Sequence, residues 1–117
     1  TTNLIDVNFT PTASSSKVLI QVSMFAYHGD TSDGYWFGGI YRGATQIYVP
    51  FNAVSGYNSG SGNWFYMRQH WGGQYLDSPN TTSQINYTIK PYYGVSYTSS
   101  HFWVERLTMS CIELAAN

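Results

Sequence analysis

The stretch from Tyr75 to Lys90 reads YLDSPNTTSQINYTIK, and its two halves follow different rules. Asp77, Ser78 and Pro79 followed by Asn80 make a turn, because Asp and Ser bond back to nearby backbone and Pro fixes φ for a bend. Ile85, Tyr87 and Ile89 then alternate with Asn86, Thr88 and Lys90, the period of two that marks a half-buried strand. Ile85, Tyr87 and Ile89 are expected to face the core or a partner, and Asp77 to bond within its own turn.

The segments on either side read the same way. Toward the N-terminus, Ile5, Val7 and Phe9 alternate with Leu4, Asp6 and Asn8 as a first strand, ended by Pro11. Thr12 to Ser16, TASSS, is a polar connection. In KVLIQVSMFAY, Lys17 to Tyr27, one face is wholly apolar (Val18, Ile20, Val22, Met24, Ala26) and the other mixed (Leu19, Gln21, Ser23, Phe25, Tyr27), as in a long central strand. His28 to Gly34, HGDTSDG, has the composition of a loop. Gly34 to Gly43 reads as a strand that Gly38 and Gly39 should bulge. A short strand from Thr45 to Val49 stops at Pro50, and Asn52 to Asn63 is a turn-rich surface loop. Trp64 to Gln69 reads as a strand that His70 to Gln74 turns back on a Gly pair. Beyond Lys90, Pro91 should stop the ladder, and Tyr92 to His101 is both aromatic and turn-rich. In the closing strand Leu107, Met109 and Cys111 alternate with Thr108, Ser110 and Ile112. WVERL, from Trp103 to Leu107, is the one short helical candidate. Seven to nine short strands between turn signals describe an all-β antiparallel sandwich or barrel.

The chain has 117 residues, the length of one domain, and can bury a core without disulfides. Cys111 is the sole cysteine and sits among apolar residues, where a thiol behaves as a small hydrophobe. Charged residues are 9% of the chain and aromatic residues 18%, so the surface is solubilised by hydroxyls and amides more than by ions. With a net charge of −1 and Lys17, Arg42, Arg68, Lys90 and Arg106 scattered, nothing suits a phosphate backbone, and no nucleic-acid partner is expected. No apolar run reaches membrane-spanning length, so no membrane insertion is expected either.

Catalytic constellations are thin. Asp30 and Asp33 share a loop, but DTSDG is foremost a turn sequence, and the spacing of an EF-hand is missing. His28, His70 and His101 form no metal-binding motif and read as loop-end imidazoles in hydrogen bonds. No GxSxG elbow occurs. The sequence is read as non-enzymatic, with no cofactor and no metal site.

Four stretches together resemble a known module: FTPTASSSKVLIQVSM (Phe9 to Met24), IYRGATQIY (Ile40 to Tyr48), YLDSPNTTSQINYTIK, and LTMSCIELA near the end. Their order and spacing are similar to those of a C-terminal head module of tail-fibre and receptor-binding proteins of tailed bacteriophages, particularly marine ones. The resemblance spans about Phe9 to Leu114. It implies a jelly-roll-like β-sandwich assembled as a homotrimer, at the C-terminus of a longer fibre protein, exposed and extracellular on the virion. The segments His28 to Gly34, Asn52 to Asn63 and Tyr92 to Trp103 depart from that pattern, and the last is unusually aromatic.

Four Trp, eleven Tyr and six Phe exceed what one small core buries. Two uses are open. The rings fill the seam of a trimer, or Tyr57, Trp64, Trp71, Tyr92, Tyr93, Tyr97 and Trp103, with His101 as a hydrogen-bonding group, form a platform for a host surface saccharide or protein. The expectation is therefore a receptor-binding domain, with a purely structural trimerising head or decoration as the alternative. Low ionic content would make stacking adhesion nearly independent of salt.

Overall fold

The computed structural model describes residues 5–30, 34–56, 65–93 and 101–115, giving backbone alone for 26–30, 34–38, 49–56, 65–69, 71, 91–93 and 101–104. Within them are seven strands: β1 (Ile5–Phe9), β2 (Lys17–Asp30), β3 (Gly34–Arg42), β4 (Thr45–Gly56), β5 (Phe65–Asp77), β6 (Ile85–Tyr93) and β7 (His101–Leu114). They form two antiparallel sheets packed as a sandwich, one ordered β1-β6-β3-β4 and the other β5-β2-β7. The all-β antiparallel sandwich expected from the sequence is the fold observed.

The strands are longer than the turn signals suggest. β2 and β7 each have 14 residues, about 46 Å at roughly 3.3 Å per residue. The body is accordingly a rod of 57 × 22 × 18 Å with a radius of gyration of 16.5 Å, against about 13 Å for a compact domain of this length.

Pairing overrides local turn chemistry in each place where the sequence suggests a break. The loop expected from His28 is replaced by strand as far as Asp30, because β2 is central: His28 pairs with Met67 on one side and Phe102 on the other. The remainder, 31–33, lies outside the described residues. Likewise the Gly pair does not turn β5 back, since Gly72 and Gly73 pair with Ser23 and Val22. β4 runs through Pro50 into the expected loop, as far as Gly56. It is an edge strand, and the register jumps there from Ile40↔Tyr48 to Gly38↔Phe51. That places Pro50 in a bulge, where a missing N–H costs little. Pro91 does not stop β6 either; it aligns with Gly38 in an unbroken β3–β6 register, and the bulge expected in β3 at Gly38 and Gly39 falls instead in the facing edge strand, where three residues of β4 span two of β3. WVERL is strand, not helix. Its register shifts so that Phe25 faces Arg106 and Ala26 faces Val104, leaving Glu105 as the extra residue of a bulge.

The core is where the alternations meet. Val18, Ile20, Val22 and Met24 of β2 face Ile40, Ile85, Tyr87 and Ile89, all buried. Ile5, Phe9, Ile47, Leu107, Met109 and Cys111 pack around them. Fully burying a side chain of this size stabilises by about 1.5–3 kcal/mol. The thiol of Cys111 is pushed up to about 11 by burial, as expected of a sulfur serving as core.

One end of the sandwich is closed by polar groups. Arg42 donates to Asp77 Oδ1 at 3.0 Å and Oδ2 at 3.2 Å, and to the Ser78 carbonyl at 3.3 Å. The Tyr87 hydroxyl donates to Asp77 Oδ2 at 2.7 Å. Asp77 is 3% exposed, so it is a tie between sheets and not the self-bonded turn residue its position suggests. The turn is held instead by Asn80, whose amide donates to the Ser78 carbonyl at 3.1 Å and whose φ is 54°, and by Lys17 Nζ donating to Ser78 Oγ at 2.8 Å. Nearby, Gly43 has φ 60°, the first central position at which a two-residue II′ hairpin takes glycine. Its N–H donates to the Asn86 carbonyl at 2.9 Å. The TASSS crossover between sheets is clamped by Glu113, which accepts from the Thr12 amide at 2.9 Å and its hydroxyl at 2.8 Å. Residues from 12–17, 42–43, 77–87 and 113 are thus joined at this end.

Candidate functional site

The outer face of the three-stranded sheet is assembled from the mixed side of β2 and its partners. Reading along it, Leu76, Leu19 and Ile112 form one row across the sheet, Gln74, Gln21 and Ser110 the next, then Gly72, Ser23 and Thr108, then His70, Phe25 and Arg106. Because the third row has small side chains and the fourth large ones, the face is stepped. The step is a half-open cleft of about 290 Å³ lined by Ser23, Phe25, His70, Arg106 and Thr108.

Each side chain here has a definite role. Ser23 Oγ and His70 Nε2 share a hydrogen bond of 2.9 Å, its direction following the imidazole tautomer. The Arg106 guanidinium carbon lies 5.2 Å from the centre of the Phe25 ring, a cation–π contact. In the row beyond the small side chains, Gln21 Nε2 reaches Gln74 Oε1 at 3.5 Å. Gly72 leaves the floor open: a Cβ placed there would meet only the Val22 carbonyl, at 3.8 Å. Among the described residues, no carboxylate pairs with Arg106 and none orients the His70 ring. The arrangement offers hydroxyls, an imidazole, an aromatic face and one cation to something outside the chain, which is the chemistry of binding.

The residues expected to form a platform fall differently. Tyr57, Trp64 and Tyr97 lie outside the described residues. The backbones of Trp71, His101 and Trp103 are in the three-stranded sheet, opposite Met24, Gly29 and Tyr27. Those of Tyr92 and Tyr93 are in the other sheet, opposite Phe37 and Trp36. The backbone therefore divides the set between two sheets. His70, expected at a loop end, is in the middle of β5 and has the hydrogen bond anticipated for it.

Ser23, Phe25, Arg106 and Thr108 escaped the sequence reading. The mixed face of β2 names Ser23 and Phe25, but only the register, with its bulge at Glu105, shows that His70, Arg106 and Thr108 join them. An exposed aromatic pair was also missed: the rings of Tyr48 and Tyr75 stack at 5.1 Å with planes 18° apart, across the seam where β4 and β5 meet. Among the described residues no group of three His, Cys, Asp or Glu is placed to hold a metal ion. No family model and no curated protein matches the sequence.

Proposed function

We propose that this chain is a non-enzymatic receptor-binding domain of a virion appendage, extracellular on the particle, that attaches to a host surface saccharide. The observation that supports this reading is the stepped outer face of the β5-β2-β7 sheet, where a rigid ladder presents a half-open cleft of about 290 Å³ with an aromatic ring, two hydroxyls, an imidazole and a guanidinium. Sugars are recognised by that combination, ring faces against C–H and fixed polar groups against hydroxyls. A homotrimer would multiply a weak contact by avidity. The test is adsorption to host cells by the chain and by alanine variants at Phe25, His70 and Thr108, with oligomeric mass measured alongside. Lost adsorption in intact oligomers is the expected result; adsorption by no form of the protein contradicts the reading.

A second reading, a purely structural trimerising head, is favoured by a different observation. Leu76, Ile112 and Leu114 are 46%, 44% and 42% exposed, and with Leu19 they make an apolar band at the clamped end of the same face. Such a band fits burial against another subunit. The double change Leu76→Ser and Ile112→Ser tests the band: dissociated oligomers assign it to assembly, and a chain that adsorbs to cells neither before nor after the change favours the purely structural reading.

A further inference from the structure

We propose that the cleft between β2, β5 and β7 is a subsite for one acidic sugar residue, a ring bearing a carboxylate. The proposal deepens the reading above and takes its biological setting from it, while the binding itself is a property of this chain. Arg106 decides the class of ligand. It is exposed, lies 5.2 Å from the centre of the Phe25 ring, and among the described residues makes no ion pair. A guanidinium carries its N–H donors in a fixed planar fork, and those donors match a carboxylate two at a time. No acidic side chain lines the cleft, so nothing within it competes for the fork.

The rest of the cleft suits a sugar ring better than a bare anion. Ser23, with its oxygen fixed 2.9 Å from His70, and Thr108 beside it supply hydroxyls at the level of the sheet, where ring hydroxyls would lie. Gly72 leaves the space above them unfilled. A volume of about 290 Å³ is at the small end for ligand sites, enough for one ring and its substituents. A weak, single-residue contact repeated across an oligomer follows.

The experiment titrates the 15N-labelled protein with D-glucuronate, with D-glucose and inorganic sulfate as separate arms, following amide resonances of Ser23, His70, Arg106 and Thr108. Glucuronate is expected to move them at least roughly tenfold more tightly than glucose, since a charge-assisted hydrogen bond carries that much discrimination. High salt is expected to weaken this binding, unlike stacking. Arg106→Gln should weaken it roughly ten- to a hundredfold. Gly72→Val, which fills the floor without adding or removing charge, should weaken it to a similar degree with the melting temperature preserved. Equal binding of glucose overturns recognition of the carboxylate, and equal binding of sulfate overturns recognition of the ring. Unaltered binding in both variants overturns the location. If glucuronate binds as described while cells are not adsorbed, the virion reading fails and the subsite stands; adsorption without glucuronate binding gives the reverse.

Discussion

Arg42 and Arg106 occupy two polar clusters of the same sandwich, and the two differ in where the anion comes from. At the clamped end the chain supplies its own: Asp77, buried between the sheets, accepts from Arg42 twice and from the Tyr87 hydroxyl once. On the outer face Arg106 rests on Phe25 beside a Ser23–His70 pair, exposed, with no carboxylate partner among the described residues. A cation, hydroxyls and a hydrogen-bond network are common to both. Completion separates them: a closed network holds the fold, and an open one is poised for a ligand.

The largest effect that could break this contrast is at Asp77. Asp77→Ala leaves the buried Tyr87 hydroxyl and Arg42, whose side chain is 32% exposed, without their acceptor. Urea unfolding should show a loss of about 3 kcal/mol, the low end for breaking a buried pair because Arg42 keeps some access to water. A loss within error would mean that the closed cluster is ornamental. Tyr87→Phe is next, at about 1.5 kcal/mol, since it removes one bond to a charged acceptor and leaves the Arg42–Asp77 pair. Burial first, and then the bond to Asp77, push the Tyr87 phenol well above its ordinary value, so this donor keeps its proton at any pH of interest.

Acid sharpens the contrast further. Bonds from the Ser16 side chain, and then from Thr12, hold the Glu113 carboxyl below its ordinary value of 4.5. A lowered folded-state value means that the clamp contributes above pH 4.5 and is lost as pH falls through the lowered value. Glu113→Gln should flatten that acid limb of the unfolding profile while leaving glucuronate binding at neutral pH unchanged; an unaltered limb would remove Glu113 from the clamp. The smallest effect is expected at Thr88, 2% exposed, whose hydroxyl has no hydrogen-bond partner among the described residues. Thr88→Val should change stability by less than about 0.5 kcal/mol or raise it slightly, because no bond is lost. A loss well beyond that would reveal a partner for this hydroxyl.

Much of the fold was legible because alternation is local. Val18 to Met24, Ile85 to Ile89 and Leu107 to Cys111 each announced a buried face, and each packs into the core. What misled was local too. Gly72–Gly73, Pro50 and Pro91 are turn signals by themselves, yet the strands beside them continue and carry them along. Asp77 looked like a turn residue because its partners, Arg42 and Tyr87, are 35 and 10 positions away in the chain. The cleft was less legible still. Its floor depends on Gly72 facing Ser23, and its cation on a bulge that brings Arg106 opposite Phe25, both consequences of register. The aromatic excess drew attention to rings, whereas the described cleft has a single ring among an arginine, a histidine, a serine and a threonine.

The most direct measurement compares Arg42→Gln with Arg106→Gln for urea stability and for glucuronate affinity. Arg42→Gln is expected to lose about 2 kcal/mol of stability, by the cost of leaving a buried carboxylate half-paired, with affinity unchanged. Arg106→Gln is expected to change stability by less than about 0.5 kcal/mol, as at an exposed position, and to lose roughly tenfold or more in affinity. If both variants lose stability and neither loses affinity, the two clusters are one kind of thing, and the outer face is not a binding site.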